Sequence, residues 1–202
     1  MKSEDEHDYL RRLSPEYYRG PAYVHWSMAM DNRTSGWLSP TFHYKLREIL
    51  THTMFRYGLC CPIYCCMPDH LHLLWVGILD GSDQRNAVKF FRAQLNPILE
   101  KLGSRFQQQP YDHVLREDQR QRSAFENVVE YIARNPERAA LTPLAKFREY
   151  EYTGCLVPGY PDLNPWQNDY WDLFWRIYAN LRDQGLVRTY DDRSRNRQIS
   201  EI

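Results

Sequence analysis

The sequence predicts an α+β domain of the ferredoxin-like, split βαβ type, with helices on one face of an antiparallel sheet and a C-terminal helical extension. Two observations lead to this prediction. The expected elements follow in the order strand, helix, strand, strand, helix, strand, helix, and the first six match that pattern. The second and third strands are separated only by a tight Pro-Asp turn, which makes them an antiparallel pair.

Four segments are expected to form strands. The clearest begins at His70, where a short apolar run is bounded by Pro68-Asp69 before it and by Gly77 after it. The run is short and rich in Leu, Trp and Val, which favours a buried strand. The predicted strands are residues 22–30, 59–67, 70–76 and 111–116.

Three helices are expected between and after these strands. Ser39 and Pro40 are typical of an N-cap and first helical position, and Gly58 is typical of the residue after a helix end. Pro97 is expected to kink or divide the second helix, and Pro136 to end or restart the third. The predicted helices are residues 40–57, 82–102 and 123–135, the last opening at Ser123 or at Arg122.

The chain divides into three regions by composition. Residues 1–20 are charged and are expected to be flexible, residues 21–146 form the predicted domain, and residues 147–202 are an aromatic-rich extension. Within the extension, residues 166–181 predict an amphipathic helix that packs on the domain. The same aromatic residues could instead stack on nucleic-acid bases.

Charge is balanced over the whole chain but unevenly placed. The formal net charge is zero, so no overall basic field points to nucleic acid. Residues 85–148 nevertheless contain twelve Lys or Arg against seven Asp or Glu, which a mixed-charge surface also explains. No N-terminal segment resembles a signal peptide and no apolar run reaches about 18 residues, so a cytoplasmic protein is expected.

The five cysteines do not suggest a disulfide framework, because their number is odd and the expected compartment is reducing. Four of them lie between positions 60 and 66. A zinc site with Cys65 or Cys66 near His70 is conceivable, but structural zinc sites normally use two separated cysteine pairs. Buried strand thiols that act as small apolar residues are therefore favoured.

His70 and His72 are the first candidate functional residues. Side chains alternate along a strand, so these two imidazoles face the same side of the sheet. Neutral imidazole is a ligand for divalent metals such as Zn, Mn, Ni and Cu. Two half-buried polar residues on a solvated sheet face would produce the same spacing, and the motif alone does not separate these interpretations.

The third helix carries two further candidates, Tyr131 and Asn135. Tyr131 is expected on the flank of the apolar stripe, with its ring on the core margin and its hydroxyl in a cleft. Asn135 lies one turn later on nearly the same face. An amphipathic packing role for Tyr131 and a helix-capping role for Asn135 explain both residues without a site. The apolar stripe comprises Phe125, Val128, Val129 and Ile132.

Together these residues resemble a known family. Met67-Pro-Asp-His-Leu-His-Leu-Leu74 and, about 60 residues later, Tyr131-Ile-Ala-Arg-Asn-Pro-Glu-Arg-Ala-Ala-Leu141 resemble the IS200-like tyrosine transposases, specifically their REP-associated branch. The resemblance covers roughly residues 20–145. It implies that residues 21–146 are an HUH (histidine, apolar residue, histidine) endonuclease domain with a tyrosine nucleophile on a helix. The first strand departs from the family, which more often has a histidine directly after the tyrosine, whereas here His25 follows Tyr23 by two positions.

The resemblance also implies a function and roles for single residues. The protein would be a metal-dependent single-stranded DNA endonuclease and strand transferase that acts on REP-like or insertion-sequence-end hairpins through a covalent 5′-phosphotyrosine intermediate. His70 and His72 would hold Mg²⁺ or Mn²⁺, Asn135 would complete the metal shell, and Tyr131 would attack the phosphorus. His113 is a further metal candidate. Candidate DNA contacts, which would equally form a solvated face, are Arg85, Lys89, Arg92, Arg116, Arg120, Arg122, Arg134 and Arg138.

Two alternatives come from other functional classes. One is a domesticated protein that binds hairpin DNA without turnover, and the other is a small metal-binding module built on the cysteine run and the His pair. The intact His70, His72 and Tyr131 disfavour the first alternative, and the single cysteine cluster disfavours the second. A monomer is favoured over a homodimer because the long C-terminal extension could cover the dimer surface. The resemblance implies the same, since members of the REP-associated branch resemble monomers with the tyrosine in cis.

Overall fold

A five-stranded antiparallel sheet runs through the centre of the protein, whose structure is a computed structural model that describes residues 12–184. The strand order is β4-β1-β3-β2-β5, so the strand that begins at His70 is central. Its first four strands have the order of a split βαβ fold, and the α+β, ferredoxin-like prediction is confirmed. The strands are β1 (Tyr23–Ala29), β2 (Leu59–Met67), β3 (His70–Gly77), β4 (Tyr111–Val114) and β5 (Thr153–Leu156).

Six α-helices accompany the sheet within residues 12–184. The two long helices that connect the strands pack on one face of the sheet, where their apolar residues join those of β1 and β3 in the first core. A second core on the opposite face includes the fourth and sixth helices, so helices lie on both faces of the sheet and not on one face as the sequence predicted. The apolar residues of these two helices bury the side of β2 and β3 that faces away from the first core. The helices are α1 (Pro40–Tyr57), α2 (Gln84–Glu100), α3 (Glu117–Arg120), α4 (Arg122–Ala133), α5 (Asn135–Arg138) and α6 (Tyr170–Gln184).

The ends of α1 and α2 follow the residues that predicted them. Ser39 Oγ accepts a hydrogen bond from the Phe42 amide at 3.2 Å, and Gly58 ends α1 with φ of 61°. Asp83 caps α2 in the same way, accepting from the Asn86 amide at 3.0 Å. Pro97 does not divide α2, which continues to Glu100.

Alternation along β3 sorts its side chains between the two cores. Leu71, Leu73 and Trp75 face α1 and α2 and are fully buried. His70 and His72 therefore face the opposite side, together with Leu74 and Val76, which contribute to the second core. The His pair thus occupies the end of β3 on the face that α4 and α6 partly cover.

The C-terminal extension contributes a strand that the sequence analysis did not predict. Thr153–Leu156 forms β5 and pairs with β2, with Cys65 opposite Thr153. The final helix starts at Tyr170 rather than near residue 166, because the Trp166 amide donates to Asn164 Oδ1 at 2.9 Å in a side-chain turn. The hydroxyl of Tyr170 then donates to the Pro62 carbonyl at 2.7 Å and joins this helix to β2.

Part of the N-terminal segment predicted to be flexible also contacts the domain. Residues 1–11 and 185–202 lie outside the described residues. Tyr18 is fully buried and donates a hydrogen bond to Asp112, which also pairs with Arg12 at 3.1 Å. This contact joins the start of the described chain to β4.

All five cysteines are free and buried. The prediction of buried strand thiols is confirmed for the four cysteines of β2. Within residues 12–184, no three His, Cys, Asp or Glu side chains are grouped so that they could hold a metal ion. The cysteine-based zinc site therefore has no support from the described chain.

None of the helices within residues 12–184 has both the length and the apolar character needed to cross a bilayer.

Gln84 is expected to be the most important polar residue of the first core. It is fully buried, donates to the Ala22 carbonyl at 2.8 Å and accepts from Trp26 Nε1 at 3.1 Å. Gln84→Ala should lower the free energy of unfolding by about 1–3 kcal/mol, because it leaves the buried Trp26 Nε1 without a partner. The Ala22 carbonyl keeps its bond from the Gly77 amide. Urea denaturation would measure the loss. The exposed Gln94→Ala on the same helix is the control, and equal stabilities of the two variants would contradict the prediction.

Candidate metal and nucleophile site

Histidines from three neighbouring strands meet on the face of the sheet opposite α1 and α2. His70 and His72 lie on β3, His25 on β1 and His113 on β4, directly opposite His25. The period of two along each strand places all four imidazoles on one side of the sheet. Only the His70–His72 spacing is visible in the sequence as a motif, because the other two positions depend on strand pairing.

Three of these imidazoles form a continuous chain of hydrogen-bond contacts. Asp69 Oδ1 lies 2.6 Å from His70 Nδ1, and His70 Nε2 lies 3.0 Å from His72 Nε2. On its other side, His72 Nδ1 lies 3.0 Å from His25 Nε2. The chain therefore runs from a carboxylate through the His pair to the neighbouring strand.

Asp69 anchors the outer end of this chain as a carboxylate. Burial alone would raise its pKa, but the hydrogen bond and charge of His70 and the charge of Arg33, whose Nη1 is 3.1 Å away, lower the pKa below its usual value. An ionised carboxylate only accepts hydrogen bonds, so His70 carries its proton on Nδ1. The Nε2 lone pair of His70 then points toward His72.

Burial keeps the inner imidazoles neutral. It lowers the pKa of His72 to about 3, with further lowering by His25, His70 and the positive charge of Arg138. Burial, followed by repulsion from His113, lowers the pKa of His25 to about 4. Neutral imidazole is the form that binds metals, so the cluster is ready to act as a ligand at neutral pH.

These lowered pKa values predict that the protein loses stability in mild acid. Burial also lowers the pKa of His43 to about 4, and its Nε2 lies 3.0 Å from the Tyr64 hydroxyl. Below the ordinary histidine pKa of about 6.5 the unfolded chain binds more protons at these histidines, so stability is present above that pH and is lost as the pH falls toward 4.

Urea denaturation should show a free energy of unfolding at least about 2 kcal/mol lower at pH 5 than at pH 7. His43→Gln should reduce that difference, because it removes one of the groups that titrate. Equal stability at the two pH values would contradict the prediction.

The spacing of the His pair fits adjacent positions on one metal ion. Metal–nitrogen bonds of about 2.1 Å at a right angle place two ligand atoms about 3.0 Å apart. The Nε2 atoms of His70 and His72 are separated by that distance. Asp69 holds the far nitrogen of His70, which is the usual outer-shell arrangement of a metal-bound histidine. The pair alone would leave the remaining coordination positions to water and substrate.

Asn135 occupies a capping position in the structure. Its Nδ2 donates to the Ile132 carbonyl at 2.8 Å at the end of α4, which is the role that its place before Pro136 suggested. Its Oδ1 accepts no hydrogen bond from any other described residue. His113 Nε2 lies 3.1 Å from Gln119 Oε1, so this spare candidate contacts α3 rather than the His pair.

Tyr131 lies on the flank of the buried stripe of α4, as predicted. Phe125, Val129 and Ile132 are buried in the second core, whereas Tyr131 is 58% exposed. The Arg138 guanidinium carbon lies 3.9 Å from the centre of the Tyr131 ring, and Nη2 donates to the Tyr131 carbonyl at 2.5 Å. The positive charge of the same guanidinium also contributes to lowering the pKa of His72.

Besides Arg138, which donates to the Tyr131 carbonyl, four of the predicted DNA contacts are engaged within the protein. Arg122 pairs with Asp172 and Glu126, and Arg134 pairs with Glu130 and Glu137. Arg92 donates to the carbonyl groups of Gln107 and Gln108, and Arg120 donates to the carbonyl group of Leu115, so both side chains hold loops in place.

The other four have no carboxylate partner among residues 12–184. Arg85 and Lys89 lie on α2, on the far side of the sheet from the His pair, and the Arg85 guanidinium lies over the Tyr18 ring. Arg116 is exposed at the start of α3. Arg138 is the only predicted DNA contact, within the described chain, that stacks on Tyr131.

Comparisons with known proteins agree with this fold. No protein-family profile matches the sequence, and no curated protein is significantly similar. A solved structure of a REP-associated tyrosine transposase bound to a REP hairpin has a similar fold, with a TM-score of 0.58. The two sequences are 16% identical, and the match covers 71% of this chain and 82% of that chain. At this identity the similarity shows a shared fold.

Proposed function

We propose that this protein is a metal-dependent single-stranded DNA endonuclease and strand transferase. It would act on REP-like or insertion-sequence-end hairpins through a covalent 5′-phosphotyrosine intermediate. The observation that carries the proposal is the convergence of His70 Nε2 and His72 Nε2, 3.0 Å apart, on the sheet face that also packs the helix of Tyr131. The fold shared with a transposase bound to a REP hairpin supports the same function.

The His pair would hold Mg²⁺ or Mn²⁺. A bound ion supplies positive charge to a non-bridging phosphate oxygen and orients the scissile phosphate. His70 and His72 would provide two nitrogen ligands, and Asn135 could add its Oδ1 while Nδ2 keeps its capping bond. Neutral oxygen and water ligands suit either of these hard cations.

Tyr131 would be the nucleophile. Its hydroxyl oxygen forms a bond to phosphorus while the bond from phosphorus to the 3′ oxygen breaks, and the leaving oxygen takes up a proton as a 3′-hydroxyl. The ordinary pKa of tyrosine is about 10, so the phenol must lose its proton as it attacks. The stacked guanidinium of Arg138 favours the developing phenolate and attracts the phosphate. The covalent link conserves the bond energy, so a 3′-hydroxyl can reverse the step and rejoin DNA.

The substrate would be single-stranded DNA or a hairpin with an accessible strand. Arg138, which stacks on the Tyr131 ring, would contact a phosphate beside the nucleophile. Arg116, exposed at the start of α3, would contact the strand elsewhere. Arg85 and Lys89, on the opposite face, would contact only a strand that extends around the domain. A cytoplasmic monomer with the tyrosine in cis remains the expected state.

Labelled hairpin oligonucleotides test the proposal. The protein would be incubated with hairpins labelled at the 5′ or the 3′ end, in the presence of Mg²⁺ or Mn²⁺ or with chelator. A covalent adduct that carries only the label 3′ of the nick, and that requires the metal, is the expected result. Binding without an adduct under any metal would instead favour a hairpin-binding protein without turnover. Stoichiometric zinc in protein purified without added metal would favour a metal-binding module.

Arg138→Ala should weaken both DNA binding and adduct formation. Loss of one phosphate contact should reduce the slope of log affinity against log salt by about 1, and loss of the stack should slow the adduct further at saturating DNA. Fluorescence anisotropy over a salt series and adduct gels measure the two effects. The exposed Arg176→Ala on α6 is the matched control, and an Arg138→Ala variant that behaves like this control would refute the role.

A further inference from the structure

We propose that His25 is a positioning residue for His72, donating to Nδ1 of His72 in the metal-free protein and accepting from it when an ion is bound. His25 would not contact the ion or the DNA. The inference rests on the proposed function, because it concerns the metal-binding form of the His pair. It assigns a role to a histidine that departs from the position more often used by the family that the sequence resembles.

The geometry of His25 supports this role. It lies on β1 opposite Leu74 of β3, and its side chain turns to the same face as the His pair. Its Nε2 lies 3.0 Å from His72 Nδ1, and the two ring centres are 5.1 Å apart with their planes tilted by 39°. This is a nitrogen-to-nitrogen approach of hydrogen-bond length, made by the ring nitrogen of His72 that does not contact His70.

The proton positions in the metal-free cluster follow from the Asp69 carboxylate. His70 donates from Nδ1 to Asp69. In the neutral imidazole Nε2 can then only accept, and His72 must donate from its own Nε2. His72 is neutral, so its Nδ1 carries a lone pair and accepts from Nε2 of His25. Each of the three contacts then has one donor and one acceptor.

An ion held by both Nε2 atoms requires a different arrangement. His72 must present a lone pair to the ion at Nε2, so its proton has to reside on Nδ1. His25 must then accept a hydrogen bond from His72 Nδ1 at its own Nε2, and its proton resides on its Nδ1. Each of the two rings carries one proton in both arrangements, so no proton is gained or lost. In His72 the proton is on Nε2 without the ion and on Nδ1 with it. In His25 the proton is likewise on Nε2 without the ion and on Nδ1 with it. An imidazole satisfies both arrangements because each of its nitrogens can donate or accept.

A residue at position 25 that could not both donate and accept would leave Nδ1 of His72 without a hydrogen-bond partner in one of the two arrangements. His72 is only 9% exposed, so an Nδ1 hydrogen without a partner would be buried away from water. Outer-shell partners of metal-bound histidines typically change metal affinity by about 10–100-fold. A glutamine in place of His25 could preserve part of the role, because its amide offers both an acceptor and a donor. A phenylalanine there keeps a planar ring and offers neither.

Metal affinity of the DNA-free protein tests the role without any measurement of turnover. Calorimetric titration with Mn²⁺ should give a dissociation constant about 10–100-fold weaker for His25→Phe than for the natural sequence, and a change of less than about threefold for His25→Gln. His52→Phe, an exposed histidine of α1 on the other face, is the control. Unchanged affinity in a folded His25→Phe variant would overturn the inference and leave the proposed function standing.

A second measurement needs no variant and covers the case in which His25→Phe does not fold. In ¹⁵N spectra of the imidazoles, His72 Nδ1 should be unprotonated without metal and protonated with bound Zn²⁺, a diamagnetic probe ion. An Nδ1 that stays unprotonated with the ion bound would overturn the inference. If neither Mn²⁺ nor Zn²⁺ binds at His70 and His72, the inference is overturned as well. The covalent DNA adduct then decides the proposed function separately, because the adduct forms only if that function is correct.

Discussion

Tyr131→Phe is expected to reduce formation of the covalent DNA adduct by more than about 10³-fold, because it removes the oxygen that would bond to phosphorus. The fold should be unaffected. The ring is 58% exposed, its hydroxyl makes no hydrogen bond to the rest of the described chain, and Phe retains the surface on which Arg138 stacks. The free energy of unfolding should therefore stay within about 0.5 kcal/mol of the natural value. Denaturing gels of labelled hairpin reactions measure the adduct.

The control for this variant is a tyrosine with similar exposure elsewhere. Tyr44 is 70% exposed on α1, on the other side of the sheet, and Tyr44→Phe should form adduct at the natural rate. Hairpin affinity should be retained in both variants, which separates loss of chemistry from loss of binding. An adduct that persists at its normal level in Tyr131→Phe would remove Tyr131 as the nucleophile.

Gly77→Ala is expected to lower the free energy of unfolding by about 3 kcal/mol or more. A Cβ at this position would lie 1.8 Å from the Gly20 carbonyl oxygen and 2.9 Å from the Gly20 carbonyl carbon, and backbone atoms cannot rotate out of the way. Gly77 also ends β3, where its carbonyl accepts from the Tyr178 hydroxyl at 3.0 Å and its amide donates to Ala22 at 2.9 Å. The clash would therefore disturb the junction of β3, α6 and the segment before β1.

Gly81→Ala provides the matched comparison. Nothing lies within 4 Å of a Cβ built at Gly81, and its φ is not in the left-handed range, so its stability should change by less than about 0.5 kcal/mol. Chemical denaturation of both variants gives the comparison directly. Equal stability of Gly77→Ala and Gly81→Ala would mean that the approach of Gly20 to β3 does not constrain the fold.

The main elements of the fold were predictable because they are encoded locally. The Ser39 and Asp83 caps, the apolar periodicity of the helices and the Pro-Asp turn each act within a few residues, and the predicted order of strands and helices up to β4 is observed. β5 was missed because four residues, Thr153–Leu156, have too little pattern to predict a strand. That segment becomes a strand because the edge of β2 offers it unpaired backbone groups.

The site could be predicted only where sequence spacing fixes geometry. The shared face of His70 and His72 follows from the period of a strand, and the flank position of Tyr131 follows from the period of a helix. His25 was noted only as a departure from the family pattern, because its contact with His72 depends on the register between β1 and β3. Asn135 fits the capping role that its place before Pro136 suggested, and its metal-binding role is still a prediction.

The predicted DNA contacts could likewise be assessed only in part from the sequence. Their number and position along the chain suggested a phosphate-binding surface. Whether each cation is available to bind a phosphate depends, however, on which residues pair with it in the folded protein. Glutamate and aspartate residues pair with Arg122 and Arg134, carbonyl groups hold Arg92 and Arg120, and Arg138 is left beside Tyr131. The pairs of Arg134, and that of Arg122 with Glu126, lie three or four residues apart, a spacing that the sequence contains. The Arg122–Asp172 pair joins distant residues, and no local pattern encodes it.

Local patterns in the chain were enough to predict the split βαβ architecture, the shared face of the His pair and the helix that carries Tyr131, because the side-chain periods of strands and helices convert spacing into direction. Tertiary structure decided two further contacts of the cluster, His25 beside His72 and Arg138 over Tyr131, whereas the Asp69–His70 contact joins neighbouring residues of the chain. Strand register and helix docking set those contacts, and both depend on how the two cores pack against the sheet.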